Sequence, residues 1–371
     1  MTRPGQRSAD EQYMRECLKL AARGKGRVSP NPLVGAVLVR DRRVIARGWH
    51  RRFGGPHAEV DCLRRARGPL GGATLYVNLE PCAHYGKTPP CTERIIASGV
   101  GTVAIGMRDP NPLVAGRGIR MLKGAGVRIR TGILEEESKE LNKFFTTHIT
   151  RSSPYVHVKV AQSIDGFIGG ERAPRYLSSP PSLTLVHRWR AEYDAVLVGA
   201  GTVRADNPRL TVRHHRGRDP HVVIIDGRMS VPESANVLRR DQGRGVFLCV
   251  AEDAARRLAG KVERLEGRGI AVLRFRTRKG QISLGDVFRE LYKFSIGSVL
   301  VEGGSSIFNQ VVRGHLADEL SVFVTPILLG RGVPAFTLCD GGAPAFSSAK
   351  ELHGRSVGRD MLFTARLIRK E

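Results

Sequence analysis

Long apolar runs are absent from this sequence, and cysteines and aromatic residues are scarce. No stretch is apolar over the roughly 20 residues that a membrane helix needs, and the first residues lack the apolar core of a secretion signal, so we expect a cytoplasmic protein without a membrane partner. The six cysteines are scattered between Cys17 and Cys339, which indicates a reducing compartment with free thiolates. Aromatic residues are only 6% of the chain, too few for a platform that stacks single-stranded nucleic acid.

Acidic residues are heavily outnumbered. The chain has 60 Lys and Arg against 35 Asp and Glu, a formal net charge of +25. The excess is shared about equally by the two halves of the chain, so it forms neither a basic tail nor a stripe of the kind that binds nucleic acid. We therefore predict no nucleic-acid partner, and a phosphorylated small molecule as the substrate that this field attracts. A length of 371 residues indicates two domains, each with its own core.

One histidine, one glutamate and two cysteines carry the strongest chemical signal. His57 and Glu59 open the segment HAEVDCLRRA, and Cys82 and Cys91 lie in PCAHYGKTPPC. One imidazole and two thiolates describe a zinc site with three protein ligands, whose fourth position is left for water. Glu59 is then the proton carrier, as in the zinc deaminases that act on nucleobase-like rings.

The spacing of the cysteines departs from the general deaminase pattern. Eight residues separate Cys82 from Cys91, where the usual pattern has two, and free cysteines are often small buried hydrophobic residues. However, all the proposed ligands fall at predicted strand ends and helix starts, where the helix dipole favours a thiolate over a thiol. A catalytic zinc site therefore explains the pattern better than unrelated core residues do.

Strand-like and helix-like segments alternate along both halves, which predicts α/β domains. In the first half we predict a helix over 13–24, a hairpin of strands 33–40 and 43–50 joined by Asp41-Arg42, and one continuous helix over 134–150. In the second half the pattern predicts one continuous helix over 254–265. The segment 151–154, RSSP, is the best boundary, because its proline stops a helix before a new strand begins. The predicted domains are residues 1–150 and 154–371.

Two glycine-rich segments of the second half follow predicted strands. VGAGTVR resembles the start of a dinucleotide fingerprint, although Arg204 replaces its third glycine, and alone it is weak evidence for a Rossmann domain. Gly303-Gly304 separates a strand from a helix, a turn whose amides suit a phosphate. Together they predict a phosphorylated nicotinamide cofactor. Polar residues at predicted strand ends converge on the same crevice: Lys159, Asp165, Arg190, Thr202, Asp206, Arg213 and Glu302.

Longer motifs of both halves resemble one known family. In the first half they are SPNPLVGAVLV, LEPCAHYGKTPPC and MRDPNPLVAGRGI, and in the second KVAQSIDG, VGAGTVRADNPRLTVR, VEGGSSIFNQ and TPILLG. Over essentially its full length the chain resembles the RibD family (RibG in some bacteria), the bifunctional deaminase–reductases of riboflavin biosynthesis, and the wide cysteine spacing is that family's own.

The resemblance implies a fold and two reactions. It implies a cytidine-deaminase-like three-layer α/β/α domain followed by a dihydrofolate-reductase-like α/β domain in place of a Rossmann domain. The first would deaminate 2,5-diamino-6-(5-phospho-ribosylamino)pyrimidin-4(3H)-one with Zn²⁺, and the second would reduce the resulting 5-amino-6-(5-phospho-ribosylamino)uracil with NADPH to the ribitylamino product. A homo-oligomer, dimer or tetramer, is also implied.

The resemblance further implies the roles of individual residues. Zinc would be held by His57, Cys82 and Cys91, with Glu59 as the proton shuttle. The residues matching contacts to the pyrimidine substrate are Asn31, His50, His84 and Lys87. The residues matching contacts to the substrate of reduction are Lys159, Arg190, Leu210, Arg213 and Glu302. The residues matching contacts to NADPH are Ala161, Tyr176, Thr202, Asp206, Gly227, Gly304, Ser305, Ser306, Ile307 and Phe308. The segment 169–175 departs from relatives: it is a residue shorter, with Pro174 in place of a substrate-contacting serine.

Two other classes of function remain open from the residues alone. A deaminase of structured RNA or single strands with an appended binding domain would show tight, salt-sensitive RNA binding. A zinc module used as a scaffold would need a fourth ligand that closes the coordination shell. The even charge distribution counts against the first, and no further Cys or His at a suitable spacing supports the second.

Overall fold

The chain folds into two compact units. The computed structural model describes residues 4–85, 89–112, 114–170, 174, 176–239, 243–337 and 349–368. The chain divides into Met1–Ser152 and Ser153–Glu371. None of the helices within these described ranges combines the length and the apolar character that crossing a membrane requires.

The first unit is a five-stranded mixed sheet with helices on both faces. Its elements are α1 (Pro4–Ala22), β1 (Gly35–Arg40), β2 (Arg43–Trp49), α2 (Ala58–Leu63), β3 (Thr74–Leu79), α3 (Cys91–Ala97), β4 (Thr102–Met107), α4 (Arg117–Gly124), β5 (Arg128–Thr131), α5 (Glu135–Leu141) and α6 (Lys143–Arg151). The strand order is β2-β1-β3-β4-β5. The predicted hairpin is present, since Asp41 and Arg42 take φ values of 51° and 59°, the left-handed conformation that matches strand twist in a two-residue turn.

Alternating side chains of β1 divide the first core into two layers. Val37 and Val39 pack with Met14 and Cys17 of α1 on one face, whereas Ala36 and Leu38 pack against α2, α3 and α4 on the other. Because successive strand residues point to opposite faces, GAVLVR is buried on both sides of the sheet. The helices α2 and α3, whose starts carry His57 and Cys91, therefore pack on the same face of the sheet.

The second unit is built on a nine-stranded sheet. Its elements are β6 (Tyr155–Ser163), β7 (Phe167–Gly169), α7 (Pro180–Glu192), β8 (Ala195–Gly199), α8 (Ala200–Asp206), β9 (His221–Ile225), β10 (Val246–Ala251), α9 (Glu252–Arg257), α10 (Ala259–Gly267), β11 (Ala271–Phe275), β12 (Thr277–Arg278), β13 (Gln281–Ile282), α11 (Leu284–Lys293), β14 (Ser298–Val301), α12 (Ser305–Arg313), β15 (Glu319–Thr325), β16 (Val333–Pro334), β17 (Ala349–Val357) and β18 (Asp360–Leu367). The strand order is β11-β10-β9-β8-β14-β6-β15-β18-β17.

Seven neighbouring strands of this sheet, β11 to β15 in spatial order, are parallel, and the last two are antiparallel. The carboxyl ends of β6, β8, β9 and β14 therefore meet at one edge, the place where α/β sheets bind ligands. The antiparallel hairpin β17–β18 distinguishes this sheet from an all-parallel doubly wound one. The Rossmann interpretation of VGAGTVR is thus wrong, whereas the predicted α/β class with two different domains is confirmed.

Two helices that the sequence predicts as continuous are each divided in two. The predicted helix 134–150 is α5 and α6, separated by Asn142 at φ −100° and ψ 19°. The side chain of Asn142 accepts a hydrogen bond from Leu33 N (2.8 Å) and donates one to Leu33 O (3.0 Å). The helix is therefore interrupted at the residue whose side chain binds the backbone of a distant segment. The predicted helix 254–265 is α9 and α10, interrupted at Leu258, whose φ is −114° and ψ 37°.

Candidate active sites

The three predicted metal ligands come from three different segments of the first unit. His57 is the N-cap of α2, and its extended backbone places the imidazole before the first helical turn. Cys91 is the first residue of α3 and follows Pro90, the N-cap of that helix, whose φ is −56° and ψ 139°. Cys82 lies in the loop after β3. Two helix starts and one strand end thus deliver the three side chains to a single point.

The ligand atoms are close together. The His57 Nδ1 is 3.1 Å from Cys91 Sγ and 3.5 Å from Cys82 Sγ, and all three atoms lie within 4.8 Å of one another. The amide of Cys91 also donates to Cys82 Sγ at 3.3 Å. A nitrogen and two sulfurs that converge in this way fit Zn²⁺, whose protein sites use these donor types. Since both sulfurs face Nδ1, that nitrogen is the imidazole ligand atom.

Hydrogen bonding within the cluster stabilises the thiolate form of Cys82. A hydrogen bond from the Cys91 thiol, together with one to His57, lowers the pKa of Cys82 to about 4, although burial opposes this shift. The same thiolate raises the pKa of the Cys91 thiol, and burial adds to the increase. The hydrogen bond to Cys82 also raises the pKa of His57, against the effect of burial. A thiolate is the form of cysteine that binds metal.

Glu59 lies beside these groups and is not one of the converging ligand atoms. It is 4% exposed in the first turn of α2, two residues after His57. Burial, followed by the charge of Cys82, raises the pKa of Glu59 to about 7. A carboxyl group with such a pKa can accept and return a proton near neutral pH. Its carboxylate also hydrogen-bonds to the Cys91 side chain, which places it at the edge of the cluster.

Asn31 and His50 are brought together next to His57. The rings of His50 and His57 meet edge to face with centroids 5.7 Å apart, and His50 is 3% exposed. Burial lowers the pKa of His50, which favours the neutral ring. Because Nδ1 lies 3.0 Å from the carbonyl oxygen of Pro56, it must carry the proton. Nε2 is then the acceptor for the Asn31 amide at 3.3 Å.

Of the two remaining residues that are predicted to contact the pyrimidine substrate, the structure describes one. His84 is exposed, and its charge acts on the carboxyl of Asp109. Lys87 lies outside the described residues.

Sequence reasoning missed the carboxylate of Glu80. It is 5% exposed and accepts hydrogen bonds from three backbone amides, those of Gly116 (3.0 Å), Ile119 (3.2 Å) and Asp109 (3.3 Å). Glu80 therefore anchors the backbone at Asp109, Gly116 and Ile119, and the carboxyl of Asp109 lies close enough to Cys82 and His84 to interact with their charges. The available signal was a charged residue at the end of an otherwise buried strand, immediately before Pro81-Cys82.

In the second unit, Arg190 and Glu302 form a buried bidentate ion pair. Arg190 Nε donates to Glu302 Oε1 at 2.6 Å and Nη2 to Oε2 at 2.7 Å, and their side chains are 11% and 7% exposed. Burial alone would raise the pKa of Glu302, but the Arg190 guanidinium holds it below its ordinary value. Burial lowers the pKa of Lys159. The negative charge of Glu302 raises this pKa, and the positive charge of Arg190 lowers it further. Three predicted substrate residues thus share one charged cluster.

The predicted substrate residues Leu210 and Arg213 lie on the chain segment beside this cluster. Leu210 is 4% exposed and takes φ 53°. Arg190 Nη1 donates to the carbonyl oxygen of Thr211 at 3.2 Å, and Arg213 Nη1 donates to Thr211 Oγ1 at 2.8 Å. Arg213 and Arg190 therefore both bind Thr211, which places the guanidinium of Arg213 in the same loop that the Arg190–Glu302 pair contacts.

The glycine pair that follows β14 forms a close turn before α12. A Cβ on Gly303 would collide with Val198 and with the backbone of Gly199. Gly304 takes φ 74°, and a Cβ there would lie 3.0 Å from Thr202 Oγ1. The two glycines therefore bring the start of α12 close to the end of β8 and to Thr202, and this turn forms a cradle of helix-start amides, which attract phosphates. This cradle fits the phosphates of a dinucleotide cofactor.

The other predicted cofactor residues are distributed around this edge of the sheet. Ser305 and Ser306 begin α12, whereas the side chains of Ile307 and Phe308 are 5% and 3% exposed and lie in the core. Those two can reach a ligand only through their backbone. The remaining positions are Ala161 on β6, Tyr176 with 55% exposure, Asp206 at the end of α8, and Gly227 two residues beyond β9.

Comparisons with known proteins match both units. Residues 7–107 match the cytidine and deoxycytidylate deaminase zinc-binding region, and residues 154–363 match the RibD C-terminal domain. The riboflavin biosynthesis protein RibD of Bacillus amyloliquefaciens is 41% identical over 346 residues, 92% of this chain and 91% of that one. Its counterpart in Aquifex aeolicus is 38% identical, with 88% and 90% covered.

Solved structures extend the similarity to the whole fold. RibD from Acinetobacter baumannii superposes with a TM-score of 0.87 at 32% identity, covering 98% of this chain and all of the other. A diaminohydroxyphosphoribosylaminopyrimidine deaminase/5-amino-6-(5-phosphoribosylamino)uracil reductase from Thermotoga maritima superposes with a TM-score of 0.83 at 37% identity, again covering 98% of this chain and all of the other. With the zinc-binding region in its first unit and the RibD C-terminal domain in its second, the chain belongs to the RibD family of riboflavin biosynthesis proteins.

Proposed function

We propose that the chain deaminates 2,5-diamino-6-(5-phospho-ribosylamino)pyrimidin-4(3H)-one in its first unit and reduces 5-amino-6-(5-phospho-ribosylamino)uracil with NADPH in its second. The observation that carries the proposal is the convergence of His57, Cys82 and Cys91 within 4.8 Å beside the buried Glu59. Family membership supports the second half, since the Thermotoga maritima relative is named for both activities.

In the first reaction Glu59 moves the protons. Zn²⁺, when held by His57, Cys82 and Cys91, would supply a Lewis acid that lowers the pKa of water and so provides a nucleophile at neutral pH. Glu59 accepts a proton from the attacking water and passes it to the ring nitrogen, and then accepts the second proton from the added hydroxyl and passes it to the departing amine. A C–O bond forms at the ring carbon, the C–N bond breaks, and ammonia leaves. The buried position of Glu59 suits a group that must serve as base and then as acid.

The neighbouring polar residues would orient the pyrimidine. With Nδ1 of His50 committed to Pro56 and its Nε2 accepting from the Asn31 amide, His50 holds the Asn31 side chain, whose second amide N–H is proposed to donate to the pyrimidine. His84, exposed after Cys82, and Lys87 are proposed to contact the phosphoribosyl arm. A ligand with matching donors and acceptors would be fixed in one orientation, which shortens the approach of the reacting atoms.

In the second reaction the chain binds and orients two phosphorylated molecules. NADPH, when bound, would supply hydride to C1′ of the ribosyl group; the C1′–O4′ bond breaks and O4′ takes a proton from solvent, which leaves an open ribityl chain. Thr202, Asp206, Gly227, Ala161, Tyr176 and the start of α12 are proposed to hold the cofactor. Lys159, Arg190, Leu210, Arg213 and Glu302 are proposed to hold the substrate. Arginine suits its phosphate through bidentate hydrogen bonds.

The oligomer and the compartment belong to the same proposal. Eight of the nine residues of the edge strand β17 are exposed, Leu352 among them at 65%. An unpaired edge strand can pair with a strand of a second copy of the chain, and such pairing is proposed for a homo-oligomer, dimer or tetramer. The cytoplasm is the proposed location, because phosphorylated substrates and NADPH do not cross membranes unaided.

Removal of the metal is expected to separate the two reactions. Chelation should abolish release of ammonia from the diaminopyrimidine phosphate and leave NADPH oxidation with the uracil phosphate intact, since the cluster of metal ligands found among the described residues belongs to the first unit. Cys91→Ala should bind no zinc and behave in the same way, whereas Cys62→Ala, at a buried cysteine of α2 outside the cluster, should retain zinc. Metal analysis and an ammonia assay measure this, and full deamination by zinc-free protein would refute the first half of the proposal.

Gly304→Ala is expected to weaken cofactor binding. The added methyl group would lie 3.0 Å from Thr202 Oγ1 at a residue with φ 74°, and would narrow the cradle in front of α12. We expect the KM for NADPH to rise about tenfold, which corresponds to ~1.4 kcal/mol, with ammonia release unchanged.

Gly280→Ala is the matched control for this substitution. Gly280 has nearly the same φ, 73°, and its Cβ would meet no atom within 4 Å. Gly304 also has ψ 145°, a combination essentially restricted to glycine, so Gly304→Ala should lose ~1–3 kcal/mol of stability and Gly280→Ala about 1–2 kcal/mol. Only Gly304→Ala should change the KM. Equal KM values for the two variants would remove the glycine turn from the cofactor site.

A further inference from the structure

The loop after Leu210 is held at three consecutive residues by side chains, two from α7 and one from later in the same loop. Arg190 Nη1 donates to Thr211 O (3.2 Å), Val212 N donates to Asp219 Oδ1 (2.6 Å), and Arg213 N donates to His187 Nδ1 (2.8 Å). The backbone of an exposed loop usually bonds to water and is mobile. Here the anchors begin at the Arg190–Glu302 pair and end at the amide of Arg213.

His187 is the most deeply buried of these anchors. It lies on α7, is 3% exposed, and accepts from the amide of Arg213, with the amide of His214 further away at 3.4 Å. Because both partners are N–H donors, Nδ1 must be an unprotonated acceptor. Burial, followed by the charges of Arg190 and Arg213, lowers the pKa of His187 to about 4. The ring is therefore neutral at physiological pH and keeps its acceptor.

We propose that His187 is a positioning residue for the reduction, whose Nδ1 fixes the backbone of Arg213 so that the guanidinium stands where the phosphate of the substrate binds. Asp219 acts with it by fixing the adjacent amide of Val212. The inference rests on the proposed function, which assigns Arg213 to the substrate. Nothing in the sequence motifs singles out His187, which lies 26 residues before Arg213.

The physical basis is preorganisation of a long side chain. Arg213 is exposed, and its guanidinium is already tied to Thr211 Oγ1. If the backbone of residues 211–213 lost its anchors, Thr211 and Arg213 would move together although their side chains remain hydrogen-bonded. The Arg213 guanidinium would then occupy many positions. Binding would then require ordering of the loop, and this cost lowers affinity. The effect should appear in the KM of the phosphorylated substrate and not in the turnover of the bound complex.

The test compares three substitutions at His187. His187→Leu removes the acceptor at similar size, and we expect the KM for the uracil phosphate to rise about tenfold with kcat changed less than twofold. His187→Asn keeps an oxygen close to the position of Nδ1 and should restore most of the affinity. His187→Gln places its acceptor one bond further out and should not. Hydrogen exchange of the peptide covering residues 208–216 should be faster in the Leu and Gln variants than in the Asn variant.

Two further variants separate the ways in which the proposal could fail. Arg213→Ala tests the substrate assignment itself: if it keeps the wild-type KM, both that assignment and the role of His187 fall. If Arg213→Ala raises the KM and His187→Leu does not, only the positioning role is wrong. Should His187→Leu not fold, Asp219→Ala decides, because release of Val212 N must also raise the KM. Ammonia release by the first unit serves as the internal control in each case.

Discussion

Glu59→Gln should lose release of ammonia by about 10²- to 10⁴-fold, the range associated with a positioned general acid–base. The amide that replaces the carboxylate cannot take a proton from the attacking water. Because Glu59 is not among the converging ligand atoms, the variant should bind zinc as the wild type does. NADPH oxidation with the uracil phosphate should be unchanged.

Asp61→Asn is the matched control for this experiment. Asp61 lies in the same first turn of α2, so both substitutions remove one negative charge from the same helix start. Its carboxylate, however, binds Arg51, Arg65 and the amide of Trp49, and not the cluster. We expect nearly normal deamination from it. Wild-type ammonia release by zinc-loaded Glu59→Gln would exclude Glu59 from the proton transfer.

The first site was largely predictable because its residues are marked by local patterns. His57 and Cys91 stand where an apolar-periodic helix begins, and Cys82 follows a buried strand. Such positions can be recognised from a few neighbouring residues, and parallel strands bring their ends to one edge of a sheet. The long motifs that both units share with a known family added the roles that spacing alone left open.

Features that depend on distant contacts escaped sequence reasoning. Asn142 divides a helix because its side chain bonds to Leu33, 109 residues away, while its neighbours all favour a continuous helix. The hairpin β17–β18 was missed because β17 is exposed on both faces and shows no alternation; its place comes from pairing with β18, which pairs with β15. Likewise no local signal joins Arg190 to Glu302.

That ion pair supports the second large expectation: Glu302→Leu or Arg190→Leu alone should destabilise the second unit by ~3–5 kcal/mol, the usual cost of leaving one buried charge without its partner. Loss of Glu302 is the more severe case, since Arg190 would then face Lys159, whose pKa burial already lowers. Asp253→Asn breaks an exposed pair with Arg257, whose side chains are 54% and 66% exposed, and should cost less than about 1 kcal/mol.

The double substitution Arg190→Leu with Glu302→Leu distinguishes stability from function. Replacing both partners of a buried pair by apolar residues is often neutral or stabilising, so the double variant should regain most of the lost stability while NADPH oxidation stays abolished. Stability is measured by denaturant unfolding of the full chain, followed by a probe in the second unit.

The dependence of this stability on pH follows from the sign of the shift. Because Arg190 holds the pKa of Glu302 below its ordinary value, the stabilisation by Glu302 is complete above the unfolded pKa of about 4.3. It is lost as the pH falls below that value toward the folded-state pKa. The difference in unfolding free energy between wild type and Glu302→Leu should therefore be constant at neutral pH and shrink below about pH 4. If Glu302→Leu or Arg190→Leu alone were as stable as Asp253→Asn at pH 7, the Arg190–Glu302 ion pair would not have the stabilising role that its buried geometry indicates.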